Sequence, residues 1–124
     1  MEDIYNKPFI KSFGYAFEGL YHALKNNRNF KTHLLVALIV IFASIFFHIR
    51  LFEMEILGIM ILLVILSEMI NTSIEEMVDL ITTEHRKEAK IAKDVAAGMV
   101  LVAAIGAIII GIFIFAPYIL KLFY

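Results

Sequence analysis

The stretch ILGIMILLVILSEMINTSIEEMVD, at positions 56–79, passes from an apolar run into a polar stripe without a break. Its first eleven residues carry no charge, and the first carboxylate is that of Glu68. The polar positions that follow are spaced by three, four and four residues, so a helix presents them on one face. They are Glu68, Asn71, Glu75 and Asp79. A carboxylate inside a membrane costs about 2.5–3.5 kcal/mol, so we expect Glu68 to have a chemical use.

The rest of the composition predicts an all-α integral membrane protein with three transmembrane helices. Of the 124 residues, 61% are hydrophobic, which exceeds the usual share in a soluble domain. The apolar segment 95–120 exceeds the roughly 20 residues that a span needs, and the segment 34–47 reaches that length with its flanks. The segment 56–71 reaches it if Glu68 lies in or near the membrane. The net charge of -1 argues against a nucleic-acid partner. The absence of cysteine excludes disulfides, thiolate metal sites and cysteine nucleophiles.

The distribution of charge predicts the topology of these spans in the membrane. Lysine and arginine collect before the first span and between the second and third, and such residues stay in the cytoplasm. The N-terminus and the polar stripe are therefore expected inside, with the C-terminus outside. We expect no cleavable signal peptide, because residues 1–5 carry Glu2 and Asp3 and no apolar run.

The expected organisation is a single membrane domain, 1–124. Residues 8–25 have one apolar face, which predicts an amphipathic helix on the cytoplasmic membrane surface. A helix that covers the bundle fits the same pattern equally well. The predicted spans are 30–48, 52–82 (with a cytoplasmic extension) and 86–121.

The spacing of the charged residues suggests how two parts of a substrate could be bound together. Glu68 and Glu75 are about 10 Å apart along a helix axis. Glu68 could reach a lipid hydroxyl while Glu75 reaches a hydrated metal and phosphates. Lys93 and Asp94 lie next to the apolar run of the last span and could also face phosphates. A solvated helix end explains Asp79 equally well, and no Gly-rich phosphate loop is present in the sequence.

Several segments resemble the signature of the prokaryotic diacylglycerol kinase family, and they cover nearly the whole chain. They are EMINTSIE at 68–75, VDL at 78–80, AKIAKD at 89–94, AAG at 96–98, SFGYAFEG at 12–19 and RNFK at 28–31. The resemblance implies a homotrimer of three-span subunits that uses ATP and Mg²⁺. It also implies a bacterial plasma membrane as the location. It is nearer to the Gram-positive branch, so undecaprenol is the favoured lipid and diacylglycerol the second.

The resemblance also implies roles for individual residues. Glu68 matches the general base, Asn71 a catalytic-stripe residue and Glu75 a metal-binding carboxylate. On the nucleotide side, the matching residues are Tyr15, Glu84, His85, Arg86, Lys93 and Asp94.

Two positions depart from the family pattern. Asn27 stands where the family usually has a second metal-binding Glu, so a neutral oxygen would replace one ligand. Arg86 stands where the family often has His, which affects the expected adenosine contact. The four histidines lack metal-ligand spacing and are expected at the membrane interface.

Two other functions fit the residues. A non-catalytic membrane adaptor would use the charged stripe to pair subunits, and Asn27 is the best argument for it. A proton or ion carrier would use Glu68 as its intramembrane carboxylate.

Overall fold

The computed structural model describes residues 8–124, which form four α-helices joined by short connections. They are α1 (Phe9–Asn26), α2 (Arg28–Phe46), α3 (Leu51–Ile81) and α4 (Lys87–Leu120). Each end lies within two residues of the helical range expected from the sequence. Glu2 and Asp3, on which the signal-peptide prediction depends, lie outside the described residues.

Local chemistry explains where the helices begin. Pro8 precedes α1, where its missing N–H is no loss. Asn27 caps α2 by accepting a hydrogen bond from the Phe30 backbone N–H. At α3, the Glu53 carboxylate accepts from the Arg50 backbone N–H at 3.1 Å, which is one half of a capping box.

Packing is strongest between α3 and α4, which lie side by side along much of their length. Helix α2 packs against α3, and α1 contacts the beginning of α2. A small core of Ile49, Leu57 and Ile114 joins the helices at one end. We call this the turn end: it comprises the turn 47–50, the start of α3 and the end of α4. The opposite end, with the start of α2 and residues 68–94, is the charged end.

The surface of this chain is that of a membrane protein. Helices α2 and α4 are long and apolar enough to cross a membrane. Large apolar side chains cover them on the outside, with Phe42 73% and Val102 72% exposed. A water-soluble fold would bury such a surface. The expected all-helical membrane fold is confirmed. Helix α3, at 31 residues, is about 46 Å long at 1.5 Å per residue, which exceeds the bilayer core.

Candidate active site

Glu68 lies at the centre of the charged end, in the contact between α2 and α3. It is 1% exposed, which makes it the most deeply buried large side chain among the described residues. Two side chains approach the two oxygens of this carboxylate: that of the α2 N-cap residue, Asn27, and that of His33 in α2. Asn27 Nδ2 donates to Oε2 at 3.3 Å, and His33 Nε2 lies 3.6 Å from Oε1. Neither contact is short, so the carboxylate retains capacity to accept a proton or a hydrogen bond.

The amide of Asn27 connects the start of α2 to two side chains of α3. Its Oδ1 accepts from the Phe30 backbone N–H at 3.1 Å. Its Nδ2 donates to Thr72 Oγ1 at 2.7 Å as well as to Glu68. The Thr72 hydroxyl in turn donates to the Glu68 backbone carbonyl at 2.9 Å. Asn27 therefore ties Glu68 to the adjacent turn of α3.

Asn71 and Glu75 continue the stripe toward the end of α3. Asn71 is 5% exposed, and its Nδ2 donates to Glu75 Oε1 at 3.1 Å. Its Oδ1 is buried and has no hydrogen-bond partner within residues 8–124. An unpaired buried acceptor costs about 1–3 kcal/mol, so its presence calls for an explanation. A ligand with a donor or a metal ion would provide one.

A polar cavity of about 220 Å³ opens beside the stripe, between α1, the start of α2 and α3. Asn27, Arg28 and Glu75 are among its lining residues. On its α1 side, His22 Nε2 lies 3.4 Å from Glu76 Oε1. The cavity thus combines a cation, carboxylates and amides, which are the groups that bind metal-complexed phosphates.

An apolar groove of about 310 Å³ lies between α2, α3 and α4. His33 and Thr32 line the part of the groove nearest the charged end, and the lining extends to Leu57 and Phe115 near the turn end. Aliphatic side chains and alanines supply most of the remaining surface. A groove of this composition suits a hydrocarbon chain better than a polar ligand.

The residues expected on the nucleotide side are distributed over α1, α4 and the loop 82–86. Lys93 donates to Asp79, which lies one turn beyond Glu75 on α3. Lys90 donates to Asp94, and Arg86 pairs with Glu84 at 3.1 Å. His85 is exposed in the same loop, and Tyr15 is 50% exposed on α1.

The structure therefore unites one half of the expected site but not the whole of it. Glu68, Asn27 and Thr72 are joined by hydrogen bonds, as are Asn71 and Glu75. In the part of the chain that is described, Lys93 reaches the stripe at Asp79, and no hydrogen bond or ion pair links Lys93 or Asp94 to Glu68, Asn71 or Glu75. Nor do residues 8–124 bring three His, Asp or Glu side chains together in a metal-binding cluster.

Sequence reasoning missed His33 as a neighbour of the carboxylate. It was expected at the membrane interface with the other histidines, yet it is partly buried and within ion-pair distance of Glu68 when protonated. Its position in the sequence could have indicated this role, because His33 is the last ionisable side chain before the uncharged run of the first span.

Comparison with known proteins identifies the family of this chain. The model of the prokaryotic diacylglycerol kinase family matches residues 14–115. The chain belongs to the prokaryotic diacylglycerol kinase family. This assignment confirms the expected family and makes the chain a member of a group of lipid kinases.

Named relatives in this family include two different lipid kinases. The chain is 40% identical over 114 residues to a diacylglycerol kinase of Synechocystis, covering 91% of this chain and 65% of the relative. It is 39% identical over 109 residues to an undecaprenol kinase of Bacillus subtilis, covering 88% of this chain and 89% of the relative. A diacylglycerol kinase of Escherichia coli is 30% identical over 100 residues, covering 81% of this chain and 82% of that protein. The chain thus spans just under two thirds of the Synechocystis protein.

Proposed function

We propose that this protein transfers the terminal phosphoryl group of ATP to the hydroxyl of a membrane lipid. Undecaprenol is the favoured acceptor and diacylglycerol the second candidate. One observation carries the proposal: Glu68 contacts a residue of each cavity. His33 lines the apolar groove and Asn27 lines the polar cavity, and both approach the same carboxylate. A lipid alcohol and a polyphosphate could therefore meet at Glu68.

Glu68 is the proposed general base. A lipid lying in the apolar groove would present its hydroxyl near His33, within reach of the Glu68 carboxylate. The carboxylate would accept the hydroxyl proton as the oxygen attacks the terminal phosphorus atom. Its burial keeps water away from the reacting oxygen, which disfavours hydrolysis of ATP.

Glu75 and Asn71 are the residues proposed to hold Mg²⁺. The fit rests on the buried Asn71 oxygen that lacks a partner and on the adjoining Glu75 carboxylate. Mg²⁺ commonly takes one or two protein oxygens and completes its shell with phosphates and water. When bound, the ion would neutralise charge on the transferring phosphoryl group. Asn71 and Glu75 would position the nucleotide end of the site.

The remaining nucleotide contacts are proposed from their place at the charged end. Lys93 would bind phosphate oxygens, with Asp94 beside it. Tyr15, Glu84, His85 and Arg86 would contact the nucleoside. Since Lys93 is paired with Asp79 in this structure, binding of phosphates would draw it from that partner.

We further propose that α3 crosses the membrane as a third span and that the subunits form a homotrimer. Placing the lysine-rich charged end in the cytoplasm puts the active site and N-terminus inside and the C-terminus outside. The polar residues of α3 would then face the protein interior rather than lipid.

The test is phosphate transfer from labelled ATP with Mg²⁺ to purified lipid alcohols in detergent or lipid cubic phase. The panel contains undecaprenol and diacylglycerol, and Glu68→Gln serves as the control because it keeps the size of the side chain. Transfer to a lipid by the native protein, lost in the control, supports the proposal and names the acceptor. Absence of transfer to every lipid by folded protein would favour the membrane adaptor.

A further inference from the structure

The position of Asn27 distinguishes this chain from the pattern of its family, which usually has a metal-binding Glu there. The question is whether the amide substitutes for that carboxylate as a metal ligand. Its three hydrogen bonds give an answer, because they use both ends of the amide within the protein.

The orientation of the Asn27 amide is fixed by the groups around it. The Phe30 backbone N–H needs an acceptor, and Oδ1 supplies it at 3.1 Å. The Glu68 carboxylate needs a donor, which only the NH₂ group can be. Exchanging the oxygen and nitrogen would set NH₂ against the N–H of Phe30 and an oxygen against the carboxylate. Both contacts would then be repulsive, so the cap of α2 turns the NH₂ group toward α3.

Thr72 holds the amide in this orientation. The Thr72 hydroxyl hydrogen is donated to the Glu68 backbone carbonyl at 2.9 Å, so Oγ1 faces Asn27 as an acceptor. One amide hydrogen bonds this oxygen at 2.7 Å, and the other points to Glu68 Oε2 at 3.3 Å. Two hydrogen bonds therefore hold the donor near the carboxylate: one to Phe30 of α2 and one to Thr72 of α3.

We propose that Asn27 is a positioning residue for Glu68 and is not a metal ligand. It holds the carboxylate in one orientation by donating an N–H hydrogen bond to Oε2. The protein oxygens offered to Mg²⁺ are then those of Asn71 and Glu75. This inference rests on the proposed function, since it assigns Asn27 to the base of that reaction.

The decisive variant is Asn27→Asp, because the two roles predict opposite results. Asp keeps an oxygen for the α2 cap, so folding is retained. If residue 27 is a metal ligand, the added charge should strengthen metal binding. If residue 27 is a positioning donor, the variant loses the N–H donor and places a negative charge beside Glu68. We expect kcat to fall by about ten- to a hundredfold, with no change in the KM for Mg-ATP or in the Mg²⁺ concentration for half-maximal rate.

Three further variants separate the effect of the donor from that of the helix cap and from that of added charge. Asn27→Ser keeps a capping oxygen on a side chain too short to reach Glu68, and we expect the same loss confined to kcat. Thr72→Val leaves the cap untouched and removes the anchor, so a severalfold loss of kcat is expected. Asn26→Asp places a charge at the neighbouring position in the same cavity, and the Asn27→Asp loss should exceed its effect at least tenfold.

A measurement without turnover completes the test: Mn²⁺ binding in the presence of a non-hydrolysable ATP analogue, followed by electron paramagnetic resonance. Equal affinity in native protein and Asn27→Asp is expected. Tighter Mn²⁺ binding or a raised kcat in Asn27→Asp would overturn the inference, as would native kcat in both Asn27→Ser and Thr72→Val. Absence of lipid phosphorylation by the native protein overturns the proposed function and this inference with it. Lipid phosphorylation by the native protein with unaffected variants overturns the inference alone.

Discussion

Helix α3 carries a carboxylate at each end of the bundle, and the two are held in opposite ways. At the turn end, Glu53 accepts from the Arg50 guanidinium at 2.7 Å, from the Arg50 backbone N–H at 3.1 Å and from the Tyr118 hydroxyl. At the charged end, Glu68 has a 3.3 Å bond from Asn27 and a 3.6 Å approach from His33. The more buried carboxylate is therefore the less completely satisfied.

This contrast separates a structural role from a chemical one. Glu53 caps the start of α3 by accepting from Arg50 and reaches α4 through Tyr118, so its oxygens are occupied within the chain. A fully paired polar group fixes structure and has nothing left to offer a ligand. Glu68 and the unpaired Asn71 oxygen beyond it retain unused capacity, and two neighbours of Glu68 line an apolar groove and a polar cavity. Incomplete pairing inside a folded chain indicates where a substrate completes the network.

The largest expected difference is between two variants that make the same Glu→Gln change at the two ends of the bundle. Glu68→Gln should reduce lipid phosphorylation by about 10²–10⁴-fold, because the general base is removed while its volume is kept. The matched Glu53→Gln variant should retain turnover within about twofold, since Glu53 lies at the opposite end. Labelled phosphate transfer measures both, with size-exclusion profiles as the check on folding. Equal losses in the two variants would contradict the division of roles.

Next in size is the effect of removing the unpaired oxygen of Asn71. Asn71→Ala should lower turnover about ten- to a hundredfold and raise the Mg²⁺ concentration for half-maximal rate. Thermal stability should change little, because relief of a buried unpaired acceptor offsets the lost packing. Activity at several Mg²⁺ concentrations and melting in detergent test the two parts. A native Mg²⁺ dependence would exclude Asn71 as a metal-side oxygen.

The sequence predicts which residues share the polar face of α3 far better than it predicts which residues of the other helices contact that face. Spacing alone places Glu68, Asn71 and Glu75 on one face, because helical geometry relates residues three and four apart. The contact between Asn27 and Glu68 joins residues 41 positions apart, and no local pattern specifies which part of α2 faces α3. His33 escaped prediction for the same reason. Helix packing, which depends on many side chains together, fixes such pairs.

A smaller effect is expected at Lys93. Like Glu53, it forms an ion pair within the chain, but its partner is Asp79 at the charged end. Asp79→Asn should free the lysine for phosphate and lower the KM for Mg-ATP by up to about fivefold, since an exposed ion pair contributes about 0–1 kcal/mol. Lys93→Ala should raise that KM instead. Steady-state kinetics at saturating lipid measures both variants. An increase in KM with Asp79→Asn would mean that Asp79 itself supports nucleotide binding.

The smallest effect concerns the pH dependence of the turn end. Glu53 lies before the apolar run that begins at position 56, and the hydrogen bond from Arg50, followed by that from Tyr118, lowers its pKa from 4.5 to about 2. A carboxyl whose pKa falls on folding stabilises the folded state above its unfolded pKa and loses that contribution as the pH drops through the folded value. Glu53→Gln should therefore melt below the native protein at neutral pH, and the gap should narrow as the pH falls from about 4.5 toward 2. Melting of both proteins in detergent across this range tests it. A gap independent of pH would assign the stabilisation to packing of the side chain rather than to its charge.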